Sequence, residues 1–310
     1  MKIVIFGGGG FIGSAIADRL LADGHELRIF ERPRVEPYRK FLPSESVEWI
    51  TGDLMSHHDV GEAVTGMDMV FHLVSTTLPK SSNDDPIYDV ETNLIATLQM
   101  LEAMREKQVS RIVFISSGGT VYGPPVYLPV DEAHPTEPQV SYGITKLAIE
   151  KFLLMYQHLH GIKTVILRVT NPYGERQRVE TAQGAVGVFL HRALSGKPIQ
   201  IWGDGSVTRD YIHVSDVAEA FAKAVDYSGS QSVFNISSGV GVSVNDLVGY
   251  IERSLGASVE RQYSAGRPYD VPVSVLDNSR AAAELGWSPR ISLEQGLDRT
   301  AAWLKGSIVQ

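Results

Sequence analysis

The sequence predicts a doubly wound α/β fold, a parallel sheet with helices on both faces, joined to a second, smaller mixed α/β lobe. Three observations carry that expectation. Short apolar runs rich in β-branched residues alternate with helical periods up to about residue 168, a glycine-rich turn occupies 7–13 between the first run and the first helical stretch, and beyond 168 proline and glycine break the chain into short segments. Strands alternating with helices require right-handed crossovers, and these bury a parallel sheet from both sides.

The elements follow in order. Ile3–Phe6, Glu26–Phe30, Val47–Thr51, Met69–Leu73, Arg111–Ser116 and Lys163–Arg168 read as strands. Ile12–Ala22 reads as a helix with Ile12, Ile16 and Leu20 on one face. Asp89–Lys107 reads as another, and its stripe of Leu94, Leu98 and Leu101 suits either the core or a dimer face. Asp84-Asp85 ahead of Pro86 is a helix-start signal. Further helices are expected from Ser141, from about Val214 to Tyr227, behind Ser243 with Asp246 in the first turn, and from Ser292, where Gln295 completes a capping box.

The 310 residues allow one large or two medium domains with a sizeable core. A net charge of −8 argues against general affinity for nucleic acid or an anionic membrane, so an anionic ligand must be held by helix N-termini and single arginines. The absence of cysteine excludes disulfides, thiolate nucleophiles and Cys-ligated zinc. His57-His58 and His158/His160 have no partners at ligand spacing, so no metal is expected. No apolar run approaches the roughly 18 residues of a membrane-spanning helix. Met1-Lys2 leads straight into a strand with no signal-peptide pattern, and a cytoplasmic protein is expected.

The first strand runs into Gly7-Gly8-Gly9-Gly10-Phe11-Ile12-Gly13 and then directly into a helix. Gly7 permits the tight turn, Gly10 lets the backbone approach a pyrophosphate, and Gly13 lets helix and strand pack closely. A dinucleotide diphosphate would meet free N–H groups and the positive end of the helix dipole there. Glu31, at the end of the second strand, suits ribose hydroxyls and repels a 2′-phosphate, which favours NAD; Arg32 beside it leaves NADP open. Asp53 after the third strand is either an acceptor for the adenine amino group or a turn or N-cap aspartate.

Ser141-Tyr142-Gly143-Ile144-Thr145-Lys146 places Tyr142 and Lys146 four apart on one helix face. An ammonium beside a phenol favours phenolate, which predicts a Tyr142 pKa lowered from about 10 toward neutrality. Such a tyrosine can take a proton from a sugar hydroxyl while the carbon gives hydride to nicotinamide.

With these motifs stand His72-Leu73-Val74, Asn93, Ser116–Gly123, Arg168 with Asn171-Pro172-Tyr173-Gly174, Arg209–Val214 with Asp216, Arg267 with Asp270, and Leu285-Gly286-Trp287. In this order the sequence resembles, over nearly its whole length, the extended short-chain dehydrogenase/reductase family, in its NAD-dependent epimerase/dehydratase group and the UDP-glucose 4-epimerase branch. The expected division is an NAD-binding Rossmann domain at 1–168, with about 208–236 returning to it, and a nucleotide-sugar-binding lobe from 169–207 and 237–310. The resemblance implies Tyr142 as acid/base and Lys146 on the nicotinamide ribose. It implies further cofactor contacts at Phe11, Ile12, Leu54, Leu73, Val74, Ser75, Asn93 and Ser116. Substrate contacts are implied at Asn171, Arg209, Arg267, Asp270 and Ser274, with the two arginines on the diphosphate. A homodimer through 89–107 and 141–160 is implied as well.

The sequence departs from the family pattern in two places. The family has Ser or Thr three residues before Val-Tyr-Gly, contacting the sugar O4; here it is Gly118, so Thr120 or Ser117 is expected to supply the hydroxyl, with Thr120 favoured. Phe6 replaces the usual first-strand threonine. Dehydratases of the family need an Asp-Glu pair, and decarboxylases a glutamate, at the positions of Gly119-Thr120, because elimination requires an acid and a base. That leaves 4-epimerisation or simple oxidoreduction of a UDP-sugar. The gate residue Ser274 leaves room for an N-acetyl group, and Arg176 and Arg178 near the sugar-side loop admit a uronic acid. The rival readings are an NAD(P)-dependent nucleotide-sugar reductase or dehydrogenase and a catalytically silent dinucleotide sensor.

Overall fold

Ile3 and Ile5 join one buried cluster and Val4 and Phe6 another, and all four are fully buried. A strand apolar on both faces belongs in the middle of a sheet covered on both sides. The computed structural model describes residues 1–79, 81–178, 184–266 and 271–308. Along the chain run β1 (Lys2–Phe6), α1 (Phe11–Ala22), β2 (Glu26–Glu31), β3 (Val47–Thr51), α2 (His57–Val64), β4 (Met69–His72), a short 3-10 turn (Ser81–Asn83), α3 (Pro86–Asp89), a π-helical turn (Val90–Ile95) and α4 (Ala96–Glu106). There follow β5 (Arg111–Ser117), α5 (Ser141–His160), β6 (Lys163–Val169), β7 (Asn171–Tyr173), α6 (Ala185–Leu194), β8 (Ile199–Trp202), β9 (Thr208–His213), α7 (Val214–Asp226) and β10 (Val233–Ile236). The last are β11 (Gly241–Ser243), α8 (Val244–Leu255), β12 (Arg261–Ser264), β13 (Val273–Ser274), α9 (Ser279–Leu285) and α10 (Leu293–Ile308).

The large sheet has the order β3-β2-β1-β4-β5-β6-β10, parallel at every pairing. The expected Rossmann-type sheet is therefore present. Its winding reverses between β1 and β4, and in open α/β sheets ligands bind in the crevice outside the strand ends at such a switch point. Ile16 and Leu20 of α1 and Phe221 of α7 cover one face. Val60 of α2, Met100 and Leu101 of α4 and Leu153 of α5 cover the other.

The segment expected as one helix over 89–107 starts a turn earlier. Asp85 caps α3 by accepting from the Tyr88 N–H at 3.0 Å, Pro86 opens the helix, and a π turn separates α3 from α4. The stripe of Leu94, Leu98 and Leu101 packs into the core, and Ile95 is the outward residue at 40% exposure.

In the second lobe β9 pairs with β7, β11 and β13, and β8 pairs with β12. The strand at 208–213 therefore lies in the small sheet, and the return to the large sheet is made by α7 and β10. Tyr173, Phe189, Leu190, Ile201, Leu247 and Leu297 are among the side chains of this lobe's own core. Ser292 and Gln295 form the reciprocal capping box of α10, both bonds at 3.2 Å. Trp287 is buried with its Nε1 donating to the Asp216 carbonyl, and the Asp216 carboxylate accepts from the Arg290 and Ile291 N–H groups. Among the described residues no helix is long and apolar enough to cross a membrane.

Candidate active site

The glycine turn leaves β1 with Gly7 at φ +87°, a conformation that favours glycine. A Cβ on Gly13 would lie 2.1 Å from the Gly7 carbonyl oxygen, so only glycine lets α1 sit this close to the strand end. Gly10 caps α1 without a side chain and the first turn holds no acidic residue, which leaves a helix N-terminus suited to an anion. The Gly9 N–H donates to Glu31 Oε1 at 2.9 Å, fixing the carboxyl against the turn, and burial raises the Glu31 pKa. Arg32 is exposed. Asp53 is an exposed turn residue whose Oδ1 accepts from the Met55 N–H at 2.9 Å, while Leu54 is buried. Leu73 donates its N–H to the Phe6 carbonyl, and Val74 packs against Gly7, so the loop after β4 abuts the turn. Phe11 and Ile12 open α1, both half-buried. A glycine cradle, an uncapped helix end and a carboxyl at the end of β2 fit a dinucleotide.

Tyr142 stands in the first turn of α5. Lys146 lies one turn on, its Nζ 5.7 Å from the Tyr142 ring centroid, 4.7 Å from that of Phe114, and donating to the Ile115 carbonyl at 3.1 Å. Tyr142 does not show the lowered pKa expected from this pairing. Burial pushes it up to about 12, with Asp89 adding to the rise and a hydrogen bond with Ser75 opposing it. Desolvation of a phenolate thus outweighs the neighbouring ammonium. Burial also lowers Lys146 to about 8, against the fields of Asp89 and Glu150. His72 is buried and pushed down to about 3 by burial and the Lys146 charge. Its Nε2 donates to Thr97 Oγ1 at 2.8 Å, because the Thr97 hydroxyl is itself committed to the Asn93 carbonyl.

The end of β5 separates its serines. Ser116 is buried and bonded to Glu150, which also holds Arg168 in a buried ion pair at 2.6 Å. Ser117 is half-buried at the strand end. A Cβ on Gly118 would lie 2.4 Å from Leu276 Cδ1 and 3.0 Å from the Arg168 carbonyl, so Leu276 fills the space of the usual Ser or Thr side chain. Thr120 Oγ1 is buried and has no hydrogen-bond partner among the described residues.

On the sugar side, Asn171 Nδ2 donates to the Asp210 carbonyl at 2.8 Å. Arg209 Nη1 donates to the Val271 carbonyl at 2.6 Å, and Ser274 pairs in register with Arg209. Arg267 and Asp270 lie outside the described residues. Arg176 pairs with Asp18 of α1 at 2.6 Å, and the Arg178 guanidinium lies 4.1 Å from the Tyr38 ring centroid.

Asn93 is buried and holds the loop after β4, accepting from the Thr76 N–H and donating to Thr76 and Asp89. Three buried carboxylates were given no role from the sequence. Asp89 ties this loop to α5, Glu150 pairs with Arg168, and Asp210 accepts from the backbone N–H groups of Ser238 and Gly239. Only Asp89 had a local signal, lying four residues before Asn93 on one helical face.

The NAD dependent epimerase/dehydratase family matches residues 3–237 of the chain. UDP-glucose 4-epimerase of Mycolicibacterium smegmatis is 35% identical over 314 residues, spanning 98% of this chain and 99% of the relative. A crystal structure of UDP-glucose 4-epimerase with UDP-glucose from Thermotoga maritima is 32% identical with a TM-score of 0.94, covering 99% of this chain and 100% of that one. The UDP-glucose 4-epimerase of Thermus thermophilus in complex with NAD is 33% identical with a TM-score of 0.91 and the same coverage.

Proposed function

The chain belongs to the NAD dependent epimerase/dehydratase family, and on that footing we propose that it is an NAD-dependent UDP-hexose 4-epimerase, interconverting UDP-glucose and UDP-galactose through a transient 4-keto sugar. The observation that carries the reading is the Tyr142–Lys146 pair at the crevice, beside a site with Gly119-Thr120 where elimination would need an acid and a base. Gly7, Gly10, Gly13 and Glu31 would hold NAD, which when bound would supply the hydride acceptor and a positive charge favouring the Tyr142 phenolate.

Tyr142 takes the C4 hydroxyl proton and later returns it. Lys146 lends positive charge from one turn away and would bind the nicotinamide ribose. Thr120, whose buried hydroxyl has no partner among the described residues, is the group for the sugar O4 that Gly118 does not provide. Asn171, Arg209 and Ser274 form the sugar-nucleotide side, with Arg267 and Asp270 assigned to the diphosphate end. The 4-keto sugar turns about its diphosphate linkage and presents its other face.

Ser274 favours a second reading, a UDP-N-acetylhexosamine, because a small half-buried side chain beside Arg209 leaves space at C2. A UDP-glucuronate remains the third reading, with Arg176 and Arg178 near the sugar-side loop. The proposed assembly is a homodimer through the outer faces of 89–107 and α5, supported by exposed Ile95, Ile144, Met155 and Leu159. We assign residues 1–168 with α7 and β10 to cofactor binding, and the small-sheet lobe to the nucleotide sugar.

The test is to incubate the purified protein with UDP-glucose, UDP-N-acetylglucosamine and UDP-glucuronate without adding NAD. UDP-galactose is the expected product. Turnover of the N-acetyl sugar alone selects the second reading, and absence of any C4 epimer contradicts both. Consumption of one equivalent of added NAD(P)H per turnover identifies a reductase instead.

A further inference from the structure

Asp89 is fully buried, yet no cation pairs with it among the described residues. Its Oδ2 accepts from Ser141 Oγ at 2.8 Å and Thr145 Oγ1 at 2.7 Å, both on α5. Its Oδ1 accepts from Asn93 Nδ2 at 3.1 Å and from the Thr77 hydroxyl in the loop after β4. One carboxyl thus collects donors from the catalytic helix, the π turn and the cofactor-side loop. The π turn serves this arrangement: Asn93 reaches back to the Asp89 carbonyl at 2.9 Å and across to Thr76. Val140 offers α5 no side-chain cap. The helix start is held by the 3-10 turn, with Ser141 N–H on Asn83 Oδ1 at 2.9 Å and Tyr142 N–H on Ser82 Oγ at 3.0 Å, and by Asp89.

We infer that Asp89 is the positioning residue of the acid/base pair, fixing the first turn of α5 against the loop after β4 and placing its carboxyl against the turn that carries Tyr142 and Lys146. Hydroxyl and amide donors satisfy a carboxylate without cancelling its charge. The field of Asp89 therefore reaches the phenol and the ammonium, favouring the protonated form of each. The other titratable groups around it are Asp85 and Glu91 on its own segment, Glu150 a turn beyond Lys146 and committed to Ser116 and Arg168, and neutral His72 on β4. Asp89 thus opposes the ionisation of Tyr142 and helps Lys146 keep its proton despite burial. The inference rests on Tyr142 being the acid/base group.

The test is the ultraviolet tyrosinate titration of Tyr142, taken as the difference between the protein and its Tyr142→Phe variant, in native and Asp89→Asn backgrounds. Asparagine keeps the shape and removes the charge. The pH at which Tyr142 ionises is expected to fall by about one unit, a tenfold change in its ionisation constant. The acidic limb of the kcat profile should move with it at unchanged bound NAD. An unshifted titration overturns the inference. Thr145→Val is measured alongside and carries the test should Asp89→Asn fail to fold, since it keeps the charge and cuts one tie. It should leave the Tyr142 ionisation in place and lower kcat several-fold at unchanged KM; wild-type kcat would overturn the positioning role. A wild-type protein forming no C4 epimer would sink the proposed reaction, while the titration would still report on Asp89.

Discussion

The glycine turn after β1 and the first turn of α5 are built by opposite means. At residues 7–13 the site is made by missing side chains: a backbone folded so tightly that a single Cβ at Gly13 meets a carbonyl oxygen, and a helix end left uncapped. At Tyr142 the site is made by polar side chains that come from four places. Ser82, Asn83 and Asp89 meet the start of α5 across as many as 60 positions of sequence, and Asn93 and Thr77 bond Asp89 behind them. Backbone geometry is encoded by local spacing and tolerates no change of volume. A polar network is encoded by distant partners and tolerates neighbours that keep its donors and charge.

Two substitutions break that comparison at its two ends. Gly13→Ala has the largest expected effect, because the clashing atoms at 2.1 and 2.7 Å are the Gly7 carbonyl oxygen and the Gly8 Cα, which cannot swing aside. Loss of about 3 kcal/mol in denaturant unfolding and of nucleotide absorbance in the purified protein is expected. A stable, NAD-loaded Gly13→Ala protein would remove the claim that the turn works by volume exclusion. Gly118→Ser restores the family's usual hydroxyl and is expected to fail smaller. It meets Leu276 Cδ1 at 2.4 Å, so a cost of about 2 kcal/mol without gain in kcat is expected, with Leu276→Ala in the same chain recovering part of it. A rise in kcat from Gly118→Ser alone would return the O4 contact to position 118 and take it from Thr120.

The same contrast explains how much was legible in the sequence. Six strands were placed almost to the residue, the inner ones because buried parallel strands read as continuous apolar runs bounded by turns, and β2 and the edge strand β3 by shorter apolar stretches between turns. The helix starting at Pro86 and the capping box at Ser292 were legible from their start signals. The π turn at 90–95 was not, since its cause is a hydrogen-bond network closed by Thr76, Thr77 and Thr145. The stripe of Leu94, Leu98 and Leu101 has a clear period, but a period does not say whether core or partner covers it. Tyr142 and Lys146 were found by spacing, while the direction of the Tyr142 shift depends on burial and Asp89. Leu276, which fills the space beside Gly118, lies more than 150 positions away and left no mark near the motif.

The central claim is that hydrogen leaves and returns to one carbon within one closed site. UDP-glucose carrying deuterium at C4, incubated in ordinary water with no added NAD, tests it directly. The account predicts UDP-galactose that retains the deuterium at C4. Product that has lost its label to solvent would contradict it.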